Sequence, residues 1–400
     1  MTLSFLLEIG VEEMPDWMIE PAIENLHLLF SQALRENRLG GEVLCVDGTP
    51  RRLALRADGL RDRQPDEVKR ALGPPLSAGP GAAQGFAKKM GVTVADLETS
   101  SSAKGEYYAY NKQIEGRATL EILSTIVPGL VEKIYFPKTM YWTGKDGLRF
   151  IRPIRWVVAL LGEKIVPFEI AGVRSGNVTR GHRQLGASEI PVGVSNYEDE
   201  LRKNYVILSA AQRRARIEEG LGRGVRKDEA LLNTLVYLTE FPTPIRGSFD
   251  VQYLELPGEI LTTVMRHHQR YFSVEDGKGG LAPEFVAVMN TSSDPEGLVR
   301  KGNERVLRAR FNDARFFWEV DLRRRLEERV EDLEKVTFQA KLGSYREKTA
   351  RVSALSKELA RKAGVNSGVA ERSALLSKCD LTTDMVKEFP ELQGVVGGLY

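Results

Sequence analysis

Cysteine and histidine are scarce in this chain: 400 residues carry two of the first and four of the second. Cys45 and Cys379 lie far apart, without a CxxC pair or a histidine at ligand spacing, so neither a disulfide framework nor a zinc site is expected. The histidines are His27, His182, His267 and His268, which removes histidine-based catalysis from the last third of the sequence. His267 and His268 are adjacent and cannot both face one metal on a helix or strand, and no HExxH spacing occurs. Long apolar runs are also missing: Trp156 to Leu161 falls far short of the roughly 20 residues that cross a bilayer. The first ten residues lack a basic segment and meet Glu8, with Glu12 and Glu13 close behind, so they do not read as a signal peptide. A soluble, cytoplasmic chain with reduced thiols and no bound metal is the expectation. Phosphate-loop signatures are absent too. There is no GxxxxGK[ST], no GxGxxG opening a helix and no GxSxG elbow, and Gly220 to Gly224 reads as a helix end.

What is present is ordinary globular material, 42% hydrophobic and 28% charged, enough for roughly two to three domains. Leu3, Phe5, Leu7 and Ile9 alternate, predicting a strand with one buried face. Ile19, Ile23, Leu26, Phe30 and Leu34 follow at helical spacing, with Gly40 and Gly41 as the stop. Leu53, Leu55 and Ala57 restore the period of two. Residues 73 to 85, rich in glycine and proline, predict an irregular surface loop. Trp156 to Leu161 and Ile165 to Ile170 predict a hairpin across Gly162-Glu163-Lys164. Val206 to Leu208 predicts a strand entering a helix capped by Ser209. From about position 303 the spacing of Leu307, Phe311, Ala314, Trp318, Leu322, Leu326, Val330 and Leu333 predicts a long helix, and the remainder is mainly helical with a break at Gly364 to Gly368. The fold class read from this pattern is α+β and multidomain.

Net charge is only +2, yet residues 133 to 183 hold ten Lys or Arg against three acids, a local excess of +7. Tyr135, Phe136, Tyr141, Trp142, Phe150 and Trp156 are interleaved with them. Cations that neutralise phosphates beside rings that stack on splayed bases suit nucleic acid. The competing reading is a solvated basic face over a core with buried aromatics. A second basic stretch, Arg300 to Arg329, has ten cations against six acids and reads as the solvent face of a helix held by i to i+4 pairs.

Blocks along the chain resemble one family. Leu7-Glu8-Ile9-Gly10-Val11-Glu12-Glu13-Met14-Pro15, Thr49-Pro50-Arg51-Arg52-Leu53-Ala54, Phe136-Pro137-Lys138-Thr139-Met140-Tyr141-Trp142 and Phe150-Ile151-Arg152-Pro153-Ile154-Arg155-Trp156 are similar to glycyl-tRNA synthetase beta subunits. Gly181-His182-Arg183, Met265-Arg266-His267-His268-Gln269-Arg270-Tyr271-Phe272, Gly302 to Arg310 and Phe338 to Gly343 continue the likeness in register. The resemblance implies an α2β2 ligase that joins glycine to its tRNA with ATP. In that enzyme the alpha subunit carries catalysis and the ATP site, and the beta subunit binds glycine tRNA. On that implication this chain has no catalytic residue, cofactor or metal of its own, and its partners are the alpha subunit and tRNA, with no membrane. Combined with the charge count, it selects Lys138, Arg152, Arg155, Arg180, His182, Arg183, Arg266 and His268 as candidate tRNA contacts.

The same resemblance implies a mixed α/β region over residues 1–320, similar to domains of the phenylalanyl-tRNA synthetase beta subunit and divisible near 190–205. The start of a helical HD-like domain is expected over 321–400. Two departures from the family pattern matter. The stretch matching the HD signature reads Ser377-Lys378-Cys379-Asp380-Leu381, without histidine, so a metal-free fold is expected. Residues 388 to 400 stop inside a family block, which predicts a shortened chain without the anticodon-binding domain. The alternative function is a hydrolase, acting on mischarged tRNA or as an HD-type phosphohydrolase, with carboxylates such as Asp380 and Asp384.

Overall fold

The computed structural model describes residues 2–102 and 105–400, folded as two compact units, one ending at Ala210 and one beginning at Ala211. The fold is mixed α/β with several separate sheets. The first unit runs β1 (Thr2–Val11), α1 (Asp16–Glu36), β2 (Gly40–Thr49), β3 (Arg52–Arg61), β4 (Glu67–Pro75), α2 (Pro80–Met90), β5 (Glu98–Ser102), β6 (Gly105–Ile114) and α3 (Thr119–Glu132). It continues through short strands β7 (Met140–Tyr141) and β8 (Arg149–Phe150) to β9 (Ile154–Leu161). β10 (Lys164–Ile165), β11 (Glu169–Ile170), β12 (Val173–Gly176), β13 (Val178–Thr179), β14 (Ile190–Pro191) and α4 (Tyr197–Lys203) complete it. Its main sheet has the order β11-β12-β9-β1-β3-β2, with β10 attached to β9.

β1 is a central strand, and that overturns the expectation of a single buried face. Phe5, Leu7 and Ile9 pack on one side, where Phe5 stacks on Phe30 of α1 at 5.1 Å. Leu6 and Glu8 on the other side are equally buried. Leu6 enters a cluster with Trp156, Val158, Tyr197, Leu201 and Val206. Gly10 stands between Arg52 on β3 and Trp156 on β9. A Cβ at that position would sit 2.0 Å from the Trp156 ring, so only glycine admits the indole.

Beneath the indole lies a fully buried ion pair. Glu8 Oε1 accepts from Arg52 NH1 at 3.0 Å, Trp156 Nε1 at 2.9 Å and Thr179 Oγ1 at 2.8 Å. Arg52 NH1 also donates to the Arg180 carbonyl at 2.8 Å. Tyr197 is wholly buried nearby; desolvation, then the Glu8 charge, push its hydroxyl well above the usual phenol range.

Several local expectations change. α1 stops at Glu36, before the glycines: Arg38 takes φ 53°, and the Arg38 and Leu39 amides close on the Arg35 and Leu34 carbonyls, a Schellman end without glycine. Residues 73 to 85 are largely regular. β4 reaches Pro75 and α2 starts at Pro80, where proline's fixed φ suits the first helical position. The expected hairpin has a second arm of two residues only, because Pro167 lacks a donor and the chain leaves; β12 then returns parallel to β9. Val206 to Leu208 is buried but is not in a strand, and α5 (Ala210–Leu221) begins directly after Ser209.

The second unit continues with α6 (Glu229–Leu238), β15 (Pro242–Ser248), α7 (Gly258–Thr263), β16 (Phe272–Glu275), β17 (Leu281–Asn290) and α8 (Leu298–Asp321). β18 (Thr337–Gln339), β19 (Gly343–Ser344), α9 (Tyr345–Lys362), α10 (Ser367–Leu376), α11 (Asp384–Glu388) and α12 (Val395–Leu399) follow. The three-stranded sheet has the order β15-β17-β16. One core unites Ile260, Phe285 and Phe311 with Met385 and Phe389. The predicted long helix ends at Asp321 and gives way to 3-10 turns over Leu326–Arg329 and Glu331–Lys335. Asp321 is buried and accepts from Arg329 NH2 and from the amides of Asp384 and Met385, so the chain must turn there. Among the described residues, no helix is long and apolar enough to cross a membrane.

Arg52→Ala leaves Glu8 as an unpaired buried charge and is expected to lower the unfolding free energy by about 3–5 kcal/mol. Arg56→Ala, which breaks a part-exposed pair with Glu198, is expected to cost less than about 1 kcal/mol. Urea denaturation followed by tryptophan fluorescence distinguishes the two variants.

Candidate nucleic-acid interface

The first unit gathers three of the sequence-predicted arginines at one end of its main sheet. β1 and β9 are antiparallel, with Val11 opposite Ile154, so the residues just past β1 meet those at the start of β9. Arg155 Nε is 2.7 Å from Glu12 Oε1, and Arg152 Nε donates to the Glu13 carbonyl at 2.8 Å. Arg183 NH1 lies 3.5 Å from Glu13 Oε1. All three pairs are substantially exposed, so each contributes little to stability. Arg180 is exposed and lies 5.1 Å from the centre of the Trp156 ring. Arg51 and Arg52 approach the same indole at 5.6 and 5.5 Å.

His182 departs from expectation. It is buried, because Gly181 and Gly186 bring the turn's two limbs together and the imidazole folds inward. Its Nδ1 accepts from the Gln184 amide at 3.3 Å. The residue shapes the turn that carries Arg180 and Arg183 and does not present a surface contact. Lys138 is exposed in the turn before β7, and no described contact joins it to the arginines.

The interleaved aromatics divide into anchors and exposed plates. Phe136 and Phe150 are buried edge to face at 5.1 Å. Tyr135 is 63% exposed, Tyr141 49% and Trp142 37%. The Arg149 guanidinium lies 5.3 Å from the Tyr141 ring, and the Trp142 indole is held by a 2.9 Å bond to the Phe150 carbonyl. Short strands β7 and β8 thus hold rings outward beside cations. Both halves of the earlier alternative occur together: some aromatics build the core, others remain available for stacking.

Arg266 and His268 belong to the second unit. They lie on a π-helical turn, Val264–His268, after α7, and Arg270 behind it has φ 59°. Arg266 Nε and NH2 grip the Asp228 carboxylate, and NH1 is 2.9 Å from His267 Nε2. Asp228 also caps α6 through the Leu231 amide at 2.9 Å. Burial raises its carboxyl pKa, but the bonds from Arg266 and Leu231 outweigh this and hold it below the usual range. His267 is pushed down by burial, then by the Arg266 charge. His268 lies edge-on to Phe389 at 4.9 Å, its Nε2 3.8 Å from Glu391, so packing governs its position. The Arg226, Lys227 and Asp228 constellation escaped the sequence reading; the Asp228 cap before an apolar helix was its only local signal.

The carboxylates of the hydrolase alternative do not form a site. Asp380 is buried beneath Gly397, with one oxygen bound to the Gly394 amide. Asp384 pairs with Lys387 at 2.8 Å. Burial, then Asp380, push the Cys379 thiol up to about 11. Among the described residues, no three His, Cys, Asp or Glu side chains are grouped to hold a metal ion.

Basic side chains thus stand beside outward-held rings in this segment of the first unit. Comparison with known proteins gives the chain its family: the family model described as glycyl-tRNA synthetase beta subunit matches residues 5–400, and the chain belongs to that family. It is 44% identical over 423 residues to the glycine-tRNA ligase beta subunit of Acidobacterium capsulatum, covering 99% of this chain and 60% of that protein. The beta subunits of Trichlorobacter lovleyi and Clostridioides difficile are each 42% identical, over 416 and 413 residues, again with 60% of their length covered. The chain therefore spans about 60% of the length of these relatives.

The depressed His267 pKa has a definite consequence for pH dependence. A histidine whose folded pKa lies below its unfolded value adds stability above about pH 6.5, and that stability is lost as pH falls toward and through the folded pKa. Thermal unfolding is expected at lower temperature at pH 5 than at pH 7.5, with a smaller difference in His267→Gln. Paired melting curves at the two pH values check this.

Proposed function

We propose that this chain acts as the tRNA-binding and assembly portion of a glycine-tRNA ligase beta subunit, working in the cytoplasm with a separate alpha subunit. Two observations carry the reading: Arg152, Arg155 and Arg183 gather at one end of the main sheet, and the β7–β8 segment just before β9 holds Tyr141 and Trp142 exposed with Arg149 against the Tyr141 ring. Such a surface neutralises phosphates and stacks on unpaired bases. Lys138, at the start of the same segment, completes the proposed footprint. Residues 1–320 are read as similar to phenylalanyl-type beta-subunit domains and 321–400 as the start of an HD-like domain. ATP-dependent activation of glycine is assigned to the alpha subunit, and this chain is assigned no cofactor.

Glu12 and Glu13 make the reading testable, since they occupy the cations that phosphates would claim. Arg152→Glu with Arg155→Glu is expected to weaken tRNA binding and to reduce the log-log salt slope by roughly 0.7 to 0.9 for each lost phosphate contact. Glu12→Gln with Glu13→Gln is expected to tighten binding. Filter binding over a salt series, beside melting curves for each variant, measures both; charge reversal without effect in a folded protein would place the tRNA surface elsewhere. The division of labour predicts a second outcome. The purified chain gives no glycine-dependent pyrophosphate exchange, and adding the alpha subunit restores it; exchange by the chain alone would refute the assignment.

A further inference from the structure

The second unit contains a cavity of about 870 Å³ that the surface described above does not use. Its polar wall comes from two segments remote in sequence: Arg226 and Lys227, on the approach to α6, and Arg266, on the π-helical turn. Arg266 is fixed before any ligand arrives. Asp228 engages its Nε and NH2, and His267 its NH1. Each terminal nitrogen still has one further N–H to offer, because a guanidinium carries five donors. The acceptor role at His267 Nε2 requires a neutral ring, which agrees with its surroundings. Lys227 is exposed, with no partner among the described contacts, and Arg226 has only a 3.9 Å approach to Glu275.

The rest of the lining is of a different kind. Leu254, Leu281 and Val395 provide apolar surface, alongside the buried Leu231, Leu256 and Leu261, while Thr263 and Glu259 add hydrogen-bonding groups. Ser273, 6% exposed, lies on β16 at the cavity. Of the three acids on the lining, Asp228 is neutralised by Arg266, Glu275 stands by Arg226, and Glu259 remains on the α7 side. A lining that combines cations, part-exposed apolar side chains and hydrogen-bonding groups fits a molecule with one anionic end and one flat heteroaromatic end. The volume lies at the upper part of the range of small-molecule sites. The backbone also points to a site: π turns and left-handed non-glycine residues concentrate where function holds local strain in place, and both occur between Val264 and Arg270.

We propose that this cavity binds one nucleoside phosphate, with the phosphate on Arg226, Lys227 and Arg266 and the base against the apolar side chains. The nucleotide is either free or the unpaired end of an RNA strand, since both present the same chemistry. The test is calorimetric titration of the 400-residue chain with AMP, adenosine, inorganic phosphate and a single-stranded RNA tetranucleotide. AMP is expected to saturate one site and to bind more tightly than either adenosine or phosphate. Arg226→Glu with Lys227→Glu is expected to weaken AMP at least about tenfold, the scale of one lost charge-assisted contact. Both side chains are exposed; Lys227→Glu alone provides a second, milder variant should the double substitution melt early. Arg152→Glu with Arg155→Glu should leave AMP binding unchanged, which separates this site from the proposed tRNA rim. Tighter binding by the tetranucleotide identifies the strand end as the ligand; tighter binding by AMP identifies the free nucleotide. Absence of saturable AMP binding, equal affinity for adenosine, or insensitivity to both charge reversals in folded protein would overturn the proposal.

Discussion

The Glu8 and Arg52 pair is the constraint on which the first unit depends. Two opposite charges are removed from water on adjacent central strands, and the cost of desolvating them is offset by three hydrogen bonds gathered on Glu8 Oε1 and by the bond from Arg52 to the Arg180 carbonyl. That requirement fixes several otherwise unrelated choices. Trp156 must lie flat across β1 to reach Glu8 with its indole nitrogen, so position 10 must be glycine. Thr179 and the Arg180 carbonyl must come to Arg52, which draws the turn after β13 against the sheet end. The exposed Arg180 and Arg183 are therefore positioned by a buried interaction that neither of them makes with its own side chain.

Much of the fold was legible wherever one structural period ran uninterrupted. β1, β3, α1 and β9 fall where apolar spacing places them, because burial of their apolar side chains dominates their energetics, on both faces in β1 and β9. The failures share a cause: tertiary partners that local sequence does not reveal. Glu8 in an alternating strand reads as a solvent-facing residue, and only the two flanking strands, β3 with Arg52 and β9 with Trp156, make it interior. Asp321 sits in helical spacing, yet amides from Asp384 and Met385, more than sixty residues later, convert it to a stop. Residues 73 to 85 look irregular from composition, while Phe86 in fact packs on the bare face of Gly73.

The candidate surface was legible to a similar extent and for a related reason. Charge counting locates the 133 to 183 segment, since ten cations in a near-neutral chain are visible without coordinates. It cannot sort Tyr141 from Phe136, or Arg183 from His182, because exposure depends on which side of a turn faces the sheet. The constellation around Asp228 was harder still. Its members come from a helix cap and a π turn nearly forty positions apart, and neither Asp228 nor Arg266 stands out without the other.

Glu12 and Glu13 impose a threshold on the arginine rim. An isolated anion offers at most one favourable exchange there, and it must displace a carboxylate already tethered to the chain at high effective concentration. A strand of phosphates could displace both the Glu12 and the Glu13 carboxylate, so its gains would accumulate while the two tethered groups swing into solvent. On the proposed reading, the rim would therefore discriminate by the number of charges a ligand carries in a row rather than by the strength of any one contact.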